Sequence, residues 1–148
     1  MTDVTAGRVA LARAMQTSID DDDLVYVALW VQLLERQVKE KSGGEDLTAK
    51  ALRSIKTGPS WTSKLAQWGL GKLDDPSLLA HARDASQRVE AAFYVAMRKH
   101  VQGDPLAIAE LQKIAKGPAI QLVETHIAQE MTALSGRVLV AQPALSLP

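Results

Sequence analysis

The 148-residue chain contains no cysteine. Disulfides, thiolate zinc sites and cysteine nucleophiles are therefore excluded. Aromatic residues are scarce, at 4%. Few aromatics beside many alanines suit close helix-to-helix packing better than a sheet. Charge of one sign is missing too, since 17 basic side chains balance 17 acidic ones. Without a net charge there is no global attraction to nucleic acid or to an anionic bilayer, so neither is an expected partner except through a local patch. The longest apolar run, Leu24 to Val31, is too short to cross a bilayer. The opening Met-Thr-Asp-Val-Thr lacks the basic and then apolar order of a secretory signal, and a cytoplasmic location is the expectation.

Signatures of chemistry are equally sparse. Gly-x-Ser-x-Gly, a Gly-rich phosphate loop, a dinucleotide fingerprint and His-Glu-x-x-His do not occur. The three histidines, His81, His100 and His126, have no metal-ligand spacing, although His126 and Glu130 lie one helical turn apart. The acidic run Asp20 to Asp23 lacks the spaced ligands and glycine of a calcium loop and reads as a solvated helix start. No cofactor, no metal and no catalytic residue is expected. An enzyme is the third reading of the function.

What the chain does contain is helical period. Apolar residues make up 47% and charged residues 23%, an ordinary globular balance. The spacing predicts a first helix over 4–17 and a second over 22–41, with acids at its start, bases in its last turn and Gly43-Gly44 beyond. The second helix is apolar on all sides in its first three turns, so it is expected to be the most buried element. A third helix over 45–57 is expected to stop at Gly58-Pro59. Ser60 can cap a fourth from Trp61 to Gly69, frayed by Gly69 and Gly71. Asp74-Asp75-Pro76 opens a fifth through about Arg83. Ser86 starts a sixth, Gly103-Asp104-Pro105 turns the chain into a seventh that reaches Lys116, and Gly117-Pro118 turns it into an eighth over 119–134. The fold class is all-α, with seven or eight helices and short connections that imply stacked antiparallel hairpins. Residues 1–136 form one helical domain, and 137–148 are an apolar, proline-containing tail expected to dock on this chain or on a second copy.

One stretch of 88–118 has a pattern of its own. Small Ala96, the Gly103-Asp104 turn, then Ala107 and Leu111, and finally Pro118 follow one another at the spacing of a helical hairpin. This stretch resembles a degenerate tetratricopeptide unit. The tryptophan and tyrosine of that pattern have no counterpart here. The resemblance implies a hairpin scaffold, α-solenoid-like, that binds protein segments and brings no catalytic residue.

The remaining candidate is the segment 47–73. Lys50, Arg53, Lys56, Lys64 and Lys72 are its only charges, and Trp61 and Trp68 sit among them. Basic side chains with interleaved aromatics can meet phosphates, bases or an anionic surface. Trp61, Leu65 and Trp68 also share one helical stripe, as core residues do, and the core reading is preferred. The leading functional expectation is a non-catalytic interaction module that holds a segment of an unidentified protein partner in a helical groove. A second copy of the chain stays open as a partner. The alternative is a nucleic-acid or membrane contact through Lys50, Arg53, Lys56, Trp61, Lys64 and Trp68.

Overall fold

The computed structural model describes residues 4–17, 19–38 and 46–117. Seven α-helices fill them, and no strand occurs among the described residues. They are α1 (Val4–Gln16), α2 (Asp21–Val38), α3 (Leu47–Ser54), α4 (Trp61–Gly69), α5 (Asp75–His81), α6 (Ala85–Val101) and α7 (Ala107–Ala115). The expected eighth helix, 119–134, and the tail, 137–148, lie outside the described residues, as does His126.

The apolar run of α2 places it at the centre. Leu24 to Leu29 are buried without a break, a pattern that only a helix with neighbours on several sides can sustain. Those neighbours are α1, α3, α4 and α6. Close approach on one side is possible because Gly7 of α1 faces Val31, where a Cβ would sit 3.4 Å from a methyl carbon. Arg8 adds a polar tie from α1, its Nε donating to Glu35 Oε1 at 2.8 Å. Tyr26 is buried against Tyr94 of α6, their ring centroids 6.3 Å apart. Burial first, and Glu90 second, push the Tyr26 phenol above its ordinary range, so it stays neutral.

Helix ends follow local chemistry. Ser60 Oγ accepts from the Ser63 N–H at 3.1 Å and caps α4 as expected. Asp74 caps α5 by accepting from the Ser77 N–H at 2.9 Å. The start of α6 differs from the expectation at Ser86. Asp84 is the cap and accepts from the Gln87 N–H, while the Gln87 carboxamide accepts from the Arg83 N–H. This exchange resembles a capping box, and it fixes the helix start one residue earlier. Helix α3 ends at Ser54, before Gly58-Pro59, because Ile55 turns into an extended conformation and buries its side chain in the core. Helices α4 and α6 each end on a glycine of positive φ, Gly71 at 77° and Gly103 at 89°. In each, the next N–H reaches back to an orphan carbonyl, Lys72 to Gln67 and Asp104 to Lys99.

Gly69 does not fray α4. A Cβ there would lie 2.7 Å from Leu29 Cδ2 and 2.8 Å from Leu52 Cδ1. The missing side chain is what lets α4 press onto α2 and α3 together. Gln32 of α2 then donates to the Gly69 carbonyl at 2.9 Å, satisfying a group that the helix end leaves open.

Candidate functional site: a cleft between helices α3 and α4

The basic segment 47–73 folds into α3, the loop 55–60 and α4, and this folding separates its charges. Lys50, Arg53, Lys56 and Lys72 are exposed and Lys64 is half-buried. Of these, Arg53 and Lys72 line one cleft of about 440 Å³ between α3 and α4. Lys50, Lys56 and Lys64 do not line it. The backbone N–H of Lys56 instead donates to Asp21 Oδ2 at 3.2 Å, which ties the loop to the acidic start of α2.

The floor of the cleft is apolar, formed by Leu52, Ile55, Ala66 and Leu70. Thr57, Ser63 and Gln67 supply polar atoms on its wall. Ser63 is buried, and its hydroxyl accepts from the Gly58 N–H at 2.9 Å and from Gln67 Nε2 at 3.3 Å. These bonds hold the loop against α4 and fix the shape of the wall. The two cations at the rim have no carboxylate among the described residues that line the cleft with them. An apolar floor with a cationic rim suits a group that is apolar along its body and anionic at its end.

Neither tryptophan of the segment lines the cleft. Trp68 is 1% exposed and belongs to the core. Its indole Nε1 donates to Asp75 Oδ1 at 2.7 Å. The Arg98 guanidinium lies 3.8 Å from its ring centroid, pairs with Asp75 and donates to the Trp68 carbonyl at 3.3 Å. Both the ring face and the N–H of Trp68 therefore have partners inside the fold. Trp61 is half-buried and packs against the same core. The interleaving of tryptophan and lysine along the sequence does not become a stacking platform in space.

The other candidates are dispersed. His81 and His100 are both exposed. Among the described residues no group of three histidine, aspartate or glutamate side chains could hold a metal ion. Among them also, no helix is long and apolar enough to cross a membrane. Sequence reasoning missed Arg36. Its guanidinium is pushed below the ordinary arginine range by burial first and by nearby Arg98 second, with Asp46 opposing. Its Nη1 is buried without a hydrogen-bond partner. A lone arginine late in an amphipathic helix gives no signal of that burial.

Comparison with known proteins adds no relative: no family model, no curated protein and no solved structure matches the chain.

Proposed function

We propose that this chain is a non-catalytic interaction module, and that it holds an acidic, partly apolar segment of a protein partner in the α3–α4 cleft. The observation that carries this reading is the cleft lining, with Leu52, Ile55, Ala66 and Leu70 below and Arg53 and Lys72 at the rim. Groove recognition of this kind needs shape and complementary charge and no sequence motif. A stacked-hairpin scaffold, with the tetratricopeptide-like α6–α7 pair as one unit, is part of the same proposal. Its support is the packing order of the first four helices, in which α1 meets α2 and α3, and α2 meets α3 and α4. Helices α1 and α2 each touch the next two in sequence, as in a stack of hairpins. The α2–α6 contact departs from that order and folds the array back on itself. The burial of both α6 Ala96 and α7 Ala107 agrees with close packing of small residues in this hairpin. A cytoplasmic setting belongs to the proposal as well.

The alternative contact with nucleic acid or membrane draws less support, because Trp68 already spends its ring and its N–H inside the fold. The test is a charge reversal of the rim. Affinity capture with the parent chain, with Arg53→Glu/Lys72→Glu and with the control Lys113→Glu on α7 is read by quantitative mass spectrometry. The proposal expects a protein captured by the parent and the control and lost with the double variant. An identical captured set for all three chains overturns it.

A further inference from the structure

Size is the first constraint on what the α3–α4 cleft holds. Its volume is about 440 Å³. One turn of an α-helix, about 10 Å across with a pitch of about 5.4 Å, fills roughly that space by itself. Recognition of a helix in a groove sets anchors at i, i+3 or i+4 and i+7, which takes two turns or more. An extended chain advances about 3.3 Å per residue and alternates its side chains, so a short stretch of it makes full use of a cleft this small.

Hydrogen-bonding capacity is the second. Gln67 lines the cleft from α4, and Nε2 of its carboxamide donates to Ser63 Oγ at 3.3 Å. Ser63 is itself held, since its hydroxyl accepts from the Gly58 N–H at 2.9 Å. The carboxamide is therefore fixed by its nitrogen end, and among the described residues nothing donates to its Oε1. Thr57 lines the cleft from the loop and is exposed, and its hydroxyl has no hydrogen bond among the described residues. An acceptor from α4 and a hydroxyl donor from the loop match the N–H and C=O of a single residue, which a strand points to the same side. A helix keeps those groups for its own ladder.

Charge is the third. Arg53 and Lys72 stand at the rim above a floor of Leu52, Ile55, Ala66 and Leu70. Neighbouring side chains of an extended segment point to opposite sides, so an aliphatic residue beside an acidic one reaches floor and rim together. Resting on the reading of this cleft as a segment-binding site, we propose that the segment it holds is short and extended. An aliphatic side chain lies on the floor, the carboxylate of the adjacent residue meets Arg53 and Lys72, and a backbone N–H of the segment donates to Gln67 Oε1. Thr57 donates to a backbone carbonyl of the same segment. Gln67 is then the residue that tells an extended backbone from a helical one.

Random dodecapeptides displayed on their messenger RNA are selected on the full chain and, in parallel, on Arg53→Glu/Lys72→Glu. Peptides that prefer the parent should carry aspartate or glutamate directly beside a large aliphatic residue. One such peptide is then made with each backbone N–H in turn replaced by an ester oxygen, which removes the donor and keeps the extended shape. Substitution at one position should weaken binding about five-fold, the worth of one hydrogen bond. That loss should disappear on Gln67→Met, which keeps the length of the side chain and removes the acceptor. The ester series on the parent needs no change in the protein, so it reads the backbone contact even where Gln67→Met does not fold. Selected peptides with apolar residues at i, i+4 and i+7, or an ester series with no sensitive position, overturn the extended geometry and leave the function proposed above standing. A selection in which no peptide prefers the parent over the reversed rim overturns both.

Discussion

Helices α4 and α7 are both nine residues long and both amphipathic, yet they hold their places by different means. α4 buries Ser63, Leu65, Ala66, Trp68 and Gly69 and packs against α2, α3 and α5. α7 buries Ala107 alone and, among the described residues, packs mainly against α6. Ser60 caps α4 with a side-chain hydrogen bond, while Leu106 gives α7 none. Leu106 is 73% exposed and Ile108 is 49% exposed, whereas Leu65 has no exposure. Nine residues are too few for a helix to persist on propensity alone, so each depends on its neighbours. The difference lies in the small residues. Ser63, Ala66 and Gly69 recur every third residue of α4 and let other helices come close on more than one side. In α7 the small residues Ala109 and Ala115 face solvent.

The contrast is broken or sharpened most strongly at Trp68. Trp68→Ala removes a buried ring and leaves Asp75 and Arg98 without their shared partner. It should cost about 3–5 kcal/mol, measured by urea unfolding. Ile108→Ala in α7 should stay within about 0.5 kcal/mol of the parent. Equal losses at the two positions would erase the distinction between the helices.

Gly69 gives the next largest effect, and its sign is the informative part. Replacing a mid-helix glycine with alanine ordinarily stabilises by about 0.5–1 kcal/mol. Here the added methyl meets Leu29 and Leu52, so Gly69→Ala should instead destabilise by about 1–3 kcal/mol. A gain in melting temperature would show that the two leucines move aside freely.

Ser60→Ala tests the cap and should cost about 1 kcal/mol. The loss should be visible as faster exchange of the Ser63 amide, with the α7 amides unchanged.

The smallest effect is a pH response of the helices that flank α4. The caps of α3 and α5 are carboxylates. Burial alone would raise Asp46, but hydrogen bonds from the Ala49 N–H and from Thr48 bring it below the ordinary aspartate value. Asp74 is lowered by its bonds with Ser77. A carboxylate lowered in the folded state stabilises above its unfolded pKa and loses that contribution as pH falls through the folded one. The Ala49 and Ser77 amide resonances should therefore hold steady to about pH 4 and move only below it. The Ser63 amide, capped by a hydroxyl, should not follow. Midpoints above the ordinary aspartate value would contradict the assignment of both caps.

These elements also mark what the sequence could tell. Ser60, Asp74 and Gly103 act on residues within five positions of themselves, and such signals are readable from local order. The continuous burial of α2 was legible for a related reason, since an apolar run carries its own period. Gly69 was misread as a fraying residue because a close approach between helices is a tertiary fact. The start of α6 was placed at Ser86 and not at Ala85 because the bonds that fix it, Gln87 N–H to Asp84 and Arg83 N–H to Gln87, have no apolar period to announce them. In the basic segment, sequence order placed Trp68 among lysines, while the partner that occupies its face, Arg98, lies thirty residues away. Arg53 and Lys72 share a cleft only because the chain turns back at Gly58-Pro59. No linear spacing encodes that meeting.

The Trp68 indole proton offers a clock. It is held on Asp75 Oδ1 beneath the Arg98 guanidinium, and the ring that carries it is 1% exposed. Such a proton exchanges with solvent only when the corner formed by α4, α5 and α6 opens. Its exchange rate in deuterated water therefore reports the frequency of that opening separately from global unfolding, from a single resonance.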